Sequence, residues 1–141
     1  MSKGIFNYPP NGQFTKDQRS PLKSLQLPGT TGEYGITGNI QKVGNNWNAW
    51  QHCSVSGNLP TDIYHVYSPD KINWSFTSTQ PVISRSMLWN TGVYDQVADC
   101  VVIEATDIGM TYAFYDACNN TIPSCAISVS SINGPLSSIC P

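Results

Sequence analysis

Short apolar runs broken by turn residues fill the chain from Tyr94 to Ser131. Cys100–Ile103 is apolar, Tyr112–Tyr115 is aromatic, and Ala126–Ser130 alternates. Each run is strand-length and bounded by Gly, Asn, Pro or Asp, the pattern of consecutive antiparallel strands in a meander. The pattern recurs from Gly38 to Ser68. Gly38–Val43 predicts an inner strand, Gly44–Asn46 a tight hairpin turn, and Trp47–Cys53 the next strand. In that strand Trp47, Ala49 and Gln51 point one way and Asn48, Trp50 and His52 the other. Thr61–Ser68 follows with Ile63, His65 and Tyr67 opposite Tyr64 and Val66, Pro69-Asp70 opens a turn, and Trp74–Phe76 starts an outer strand. Both faces of these strands carry large side chains, as expected of a sheet packed between two others.

One offset of 65 places Trp47 on Tyr112, Trp50 on Tyr115 and Cys53 on Cys118, and moving the third strand by two residues places Tyr64 on Ile127 and Val66 on Val129. A repeat of roughly 60 residues built of short strands is the mark of a β-propeller blade or a related repeated meander. The expected fold is therefore all-β: two propeller-like blades, each an antiparallel meander, preceded by an extended N-terminal arm. The arm covers residues 1–34 and the two-repeat domain residues 35–141, with repeats at about 35–83 and 94–141.

The string TDIYHVYSPDKINW (Thr61–Trp74), then QPVI, YDQVADCVVIEA and TYAFYDA, resembles the five-bladed propeller glycosidases of the arabinanase and xylosidase kind. Those chains carry an "SxDGxNW" turn, a "DPS-hydrophobic" inner strand and a "YYMFYDG" strand in the same order. The resemblance covers about Gly38–Ser137; Lys71 stands where the family has Gly, and Cys100 where it has Pro. A chain of 141 residues cannot hold five blades, which need about 300. Something outside it is expected to complete the ring, either other copies of the chain, three giving six blades, or other assembly proteins.

Before the first repeat, Pro9, Pro10, Pro21 and Pro28 exclude a long helix. Ile5, Phe6, Tyr8, Phe14, Leu22, Leu25 and Leu27 are apolar anchors. The segment reads either as a disordered leader or, the favoured alternative, as an arm laid across the sheets or onto a neighbouring subunit. Its first residues lack the apolar run of a secretory signal, and no 18-residue apolar stretch suits a membrane span. Charged residues make up only 11% of the chain and the net charge is −2, so there is no footprint for nucleic acid.

Five cysteines and two histidines fit no zinc spacing, and neither metal nor cofactor is expected. Cys118 and Cys125 flank NNTIPS and are the disulfide candidates, while Cys53, Cys100 and Cys140 read as small core hydrophobes. Trp89, in the crossing segment Ser84–Tyr94, is either a sugar platform or a cap on a blade interface. The resemblance implies three acids converging on the propeller axis, two of them about 6.5–9.5 Å apart if the mechanism inverts. Asp99 stands at the family's inner-strand position with Asp95 nearby; Asn39, its match in the first copy, cannot act as a base, and neither Glu104 nor Glu33 matches the general acid.

One acid of three implies a non-enzymatic chain. The sequence thus leads to the expectation of a structural or adhesive subunit of a larger assembly, a virion component such as a bacteriophage capsid decoration or tail protein. The alternatives are an extracellular, oligomeric carbohydrate-binding module with a glycan site at Trp89, Asp95 and Asp99, or a degenerate fragment of a propeller glycosidase.

Overall fold

The computed structural model describes residues 38–54, 61–88, 93–119, 121–122 and 124–141, together with the backbone of two short strands at 25–26 and 33–34. Those two strands, β1 (Leu25–Gln26) and β2 (Glu33–Tyr34), pair antiparallel, and β2 lies against the next sheet. The rest of the expected arm, residues 1–24 and 27–32, lies outside the described residues, as does Trp89.

Two antiparallel meanders make up the body. Blade 1 is β3 (Ile40–Val43), β4 (Asn46–Cys53), β5 (Asp62–Ser68) and β6 (Ser75–Phe76), paired in that order. Gly44, at φ 59°, opens the two-residue β3–β4 turn, a left-handed conformation that costs glycine nothing. Blade 2 is β7 (Gln96–Ala105), β8 (Met110–Asn119) and β9 (Ser124–Asn133), also in sequence order. The chain is all-β and has the architecture of propeller blades.

The core lies between the blades. Trp50 and Ile63 from blade 1 meet Val97, Cys100, Val102, Tyr115 and Ala117 from blade 2, with Ile83, Leu88 and Leu136 closing the ends. Polar groups fasten the same junction. Thr61 donates its hydroxyl to the Val97 carbonyl (2.7 Å), and the Val97 N–H donates to the Thr61 carbonyl (3.1 Å). Gly38 passes so close to blade 2 that a Cβ there would sit 1.8 Å from the Cys100 carbonyl oxygen. Beside it the Asn39 amide imitates a neighbouring strand: its Oδ1 accepts from Val102 N–H (2.9 Å) and its Nδ2 donates to the Val102 carbonyl (2.8 Å). The Gln41 amide donates to that same carbonyl.

The blade-to-blade correspondence differs by one residue from the sequence-based offset of 65. Trp50 pairs with His65 across β4–β5, and Phe114 pairs with Val129 across β8–β9. These registers fit a shift of 64 on both strands and fit equally the sequence-based shifts, 65 for β4 onto β8 with 63 for β5 onto β9, which carry the pair Trp50–His65 onto Tyr115–Ser128, so the faces decide between them. Trp50 faces blade 2 and Tyr115 faces blade 1, meeting in one core, so they cannot be equivalent positions of successive blades. The offset of 65 matched aromatic to aromatic but put each on the wrong face, because a one-residue slip turns every side chain over.

Candidate functional site at the inner-strand bulge

β7 breaks its alternation at Asp99. The pairing of β7 with β8 runs regularly from Gln96 to Ala98 and resumes at Val101, so that Asp99 and Cys100 together stand opposite the single residue Tyr115 in a bulge. Asp99 adopts φ 45°, a left-handed conformation that a residue with a Cβ takes only at a cost. The kink buries Cys100 and leaves the Asp99 side chain 56% exposed. His52, near the end of β4 in blade 1, brings its Nδ1 to 3.5 Å from Asp99 Oδ1. The fold thus assembles a carboxylate–imidazole pair from two blades. Sequence reading identified Asp99 but assigned His52 no role; the signal available was its place at the end of the strand preceding the β5 return.

The other predicted positions are distributed differently. Asp95 precedes β7, and its N–H donates to the Cys118 carbonyl (3.0 Å), which ties it to the far end of β8. There Cys118 and Cys125 are direct cross-strand partners and are disulfide-bonded. Asn39, read as an inert substitute for an acid, serves as the clamp between blades. Glu104 accepts from Leu136 N–H at 2.9 Å, which fixes the C-terminal turn on blade 2. Of Glu33 only the backbone is described.

Two further polar groups are structural by their surroundings. His65 is buried, with Nε2 3.0 Å from Asn48 Oδ1 and Nδ1 2.6 Å from Thr77 Oγ1. Asn48 Nδ2 donates to the Asn46 carbonyl, so its oxygen faces His65, which donates through Nε2 and accepts the Thr77 hydroxyl at Nδ1. Desolvation pushes the imidazole pKa down to about 4. Asp62, also buried, accepts from the Arg85 N–H (2.8 Å) and holds the Arg85 guanidinium at 3.5 Å, anchoring the 3-10 turn Arg85–Met87.

A cleft of about 310 Å³ opens between the blades, lined by Trp50, His65, Val102, Thr111, Ala113 and Ile132 among others. Its wall is almost wholly apolar, whereas a sugar presents hydroxyls on every edge and needs polar partners. The bulge, with its exposed acid, is the better candidate for chemistry.

This all-β architecture of blades packed face to face is similar in fold to propeller glycosidases. Among solved structures, the chain is similar in fold to a glycosyl hydrolase from Bacteroides ovatus, with TM-score 0.60 at 11% identity over 85% of this chain and 40% of that one. It is similar also to a glycoside hydrolase with TM-score 0.61 at 20% identity, covering 86% of this chain and 34% of the other. A third comes from the GH130 family of mannoside phosphorylases, which contains glycoside hydrolases that target β-1,2 mannosidic linkages in Candida mannan; TM-score is 0.61 at 12% identity over 84% and 37% of the two chains. At these identities the likeness is one of fold. The chain spans about a third to two fifths of the length of these structures. No family of known proteins matches the sequence, and no curated protein does either.

These likenesses correct one expectation. The missing acids implied a non-enzymatic chain, but the fold it shares is that of glycoside hydrolases.

Proposed function

We propose that the chain supplies two adjacent blades of a carbohydrate-processing propeller of glycoside hydrolase type, with Asp99 as the carboxylate that blade 2 contributes. The observation that carries this reading is the bulge: a non-glycine residue held at positive φ, with an exposed carboxylate and a histidine from the next blade beside it. Backbone strain of this sort costs roughly 1–3 kcal/mol and persists where the surrounding fold maintains it for a purpose. Glycoside hydrolysis needs a pair of carboxylates across the scissile bond. Asp99 is one, His52 positions it, and the partner acid comes from blades beyond these two. The Cys118–Cys125 bond suits an extracellular setting.

Titration calorimetry with arabinan, xylan and mannan oligosaccharides tests the reading, alongside hydrolysis of the corresponding aryl glycosides. Saturable binding to one of them is expected, weakened at least tenfold by Asp99→Asn and several-fold by His52→Ala. Binding that Asp99→Asn leaves unchanged would remove Asp99 from the site, and any hydrolysis that survives that substitution would remove it from the chemistry.

A second reading, a subunit of a larger assembly such as a virion component, is favoured by one observation, the uncovered apolar face of blade 2. On that reading the sugar site serves attachment, copies of the chain or other assembly proteins lie against it, and light scattering gives an oligomer.

A further inference from the structure

Facing rows of unequal size leave a gap between the blades. On blade 1, Trp50 and His65 are cross-strand partners with rings 5.4 Å apart, and both are buried on the side of blade 2. The row opposite them is Val102, Ala113 and Ser130, paired in that order across the three strands of blade 2. Two of those side chains are small, whereas Tyr115, two residues along the same face of β8, reaches the core and is buried. Sheets stack about 10 Å apart, so rings that face Ala and Ser do not close the distance, and the cleft of about 310 Å³ results. Val82, Ile132 and Ile139 also line it and are 45%, 37% and 44% exposed, which makes them its mouth.

The polar groups on the wall are committed elsewhere. His65 uses both ring nitrogens on Asn48 and Thr77, the Thr111 hydroxyl donates to the Gly134 carbonyl at 2.9 Å, and the Ser130 hydroxyl lies 3.1 Å from that of Tyr115. Among the described residues that line the cleft there is no acid, lysine or arginine. A charged guest would therefore lose its hydration and find no counter-charge. Water is held in place only by two to four polar partners, and apolar cavities take up apolar guests instead.

We infer that the cleft is a binding site for an uncharged, flat, bicyclic aromatic compound, held between the Trp50 indole and the row Val102, Ala113 and Ser130. Size sets the number of rings: an apolar cavity of about 150 Å³ holds benzene, and about twice that volume suits two fused rings. Trp50 supplies the offset or edge contact that aromatic rings prefer. Neither Asp99 nor His52 lines the cleft, so this site is separate from the proposed sugar site and is tested without it.

The probe is 2-naphthol, uncharged at pH 7, titrated into the intact chain by calorimetry and by methyl-resolved NMR. Saturable one-to-one binding is expected, with shifts concentrated at Val82, Val102, Ile132 and Ile139. The anion 2-naphthoate, similar in shape, is expected to bind at least tenfold more weakly. Ala113→Leu and Ser130→Leu, made separately, fill the cleft from neighbouring strands, and each variant that keeps a cooperative melt is expected to bind 2-naphthol at least tenfold more weakly. No saturation with 2-naphthol, equal affinity for 2-naphthoate, or binding untouched by both substitutions would overturn the inference. So would nuclear Overhauser contacts, in the ligand-free chain, from Ile132 and Ile139 to side chains of residues 1–24, because the chain itself would then fill the cleft.

Discussion

Burial between Trp50, Asn48 and Thr77 holds His65 neutral, its pKa displaced from an ordinary 6.5 to about 4. The unfolded chain binds the proton more readily, so the stability that the neutral ring contributes is complete above about pH 6.5 and is lost as the pH falls towards 4. A shift of this size corresponds to about 3 kcal/mol. Urea unfolding between pH 7 and 4 is expected to show that loss in the wild type and a flatter profile in His65→Gln. Asp70 works in a lower window. Backbone N–H groups of Asn73 and Ile72, with the Asn73 amide and the Ser68 hydroxyl, hold its carboxylate well below the usual range. Its contribution is therefore lost only as the pH falls below about 4. Next to it Lys71 sits at φ 65°, where the resembled family has glycine, with its ammonium 3.7 Å from the centre of the Trp47 ring. The left-handed backbone costs roughly 1–2 kcal/mol for a residue with a Cβ, and the cation–π contact returns about 0.5–1 kcal/mol. Lys71→Gly removes both and is expected to melt at or slightly above the wild-type temperature. Lys71→Ala keeps the strain and loses the contact, and should melt lower.

Between elements, the junction of β3 with β7 depends on two residues without large side chains. Gly38→Ala drives a methyl group into a carbonyl that cannot yield without moving β7. Overpacking of that kind costs typically 1–3 kcal/mol, and a drop in Tm of roughly 5–10 °C is expected for a chain of this size. Asn39→Ala leaves the Val102 N–H without its acceptor while Gln41 still serves the carbonyl, for a loss of about 1–3 kcal/mol. At the other end of blade 2, Cys118 and Cys125 are seven residues apart, and closing so short a loop contributes roughly 2 kcal/mol. Reductant should lower the Tm of the wild type by several degrees and leave the Cys118→Ser/Cys125→Ser double variant unchanged. The strands themselves were legible, because runs such as Thr61–Ser68 and Tyr112–Tyr115 end at Gly, Pro or Asp. The bulge was not. DCVVIEA reads as one continuous strand, and only the pairing with β8 shows that Asp99 and Cys100 share a single partner position and leave one residue surplus.

For the molecule as a whole, sequence alone suggested the blades but misplaced their correspondence, for a reason that lies in the side chains. Trp47 and Trp50 lie on opposite faces of β4, as do Tyr112 and Tyr115 on β8, so aromatic residues occur on both sides and mark neither. The match that looked best, tryptophan on tyrosine and cysteine on cysteine, was a match of residue types and not of environments. Environment removes the ambiguity, since Trp50 and Tyr115 meet from opposite sides in one core, and Cys53 lies with Tyr64 and Phe76 in a small cluster of its own whereas Cys118 is bonded to Cys125. The role of Asn39 was hidden in the same way, because nothing in a single sequence distinguishes an amide that has lost an acid's function from one that bridges two sheets.

The spacing of 64 shared by β4–β8 and β5–β9, shortened to 62 between β3 and the part of β7 beyond the bulge, bears on how such a chain can change over evolutionary time. Recombination between one unit and the next adds or removes a whole module while every remaining side chain keeps its inward or outward aim. Genes encoding chains of this design can therefore lengthen or shorten in steps of that period, and an insertion of any other size should survive only in the connections.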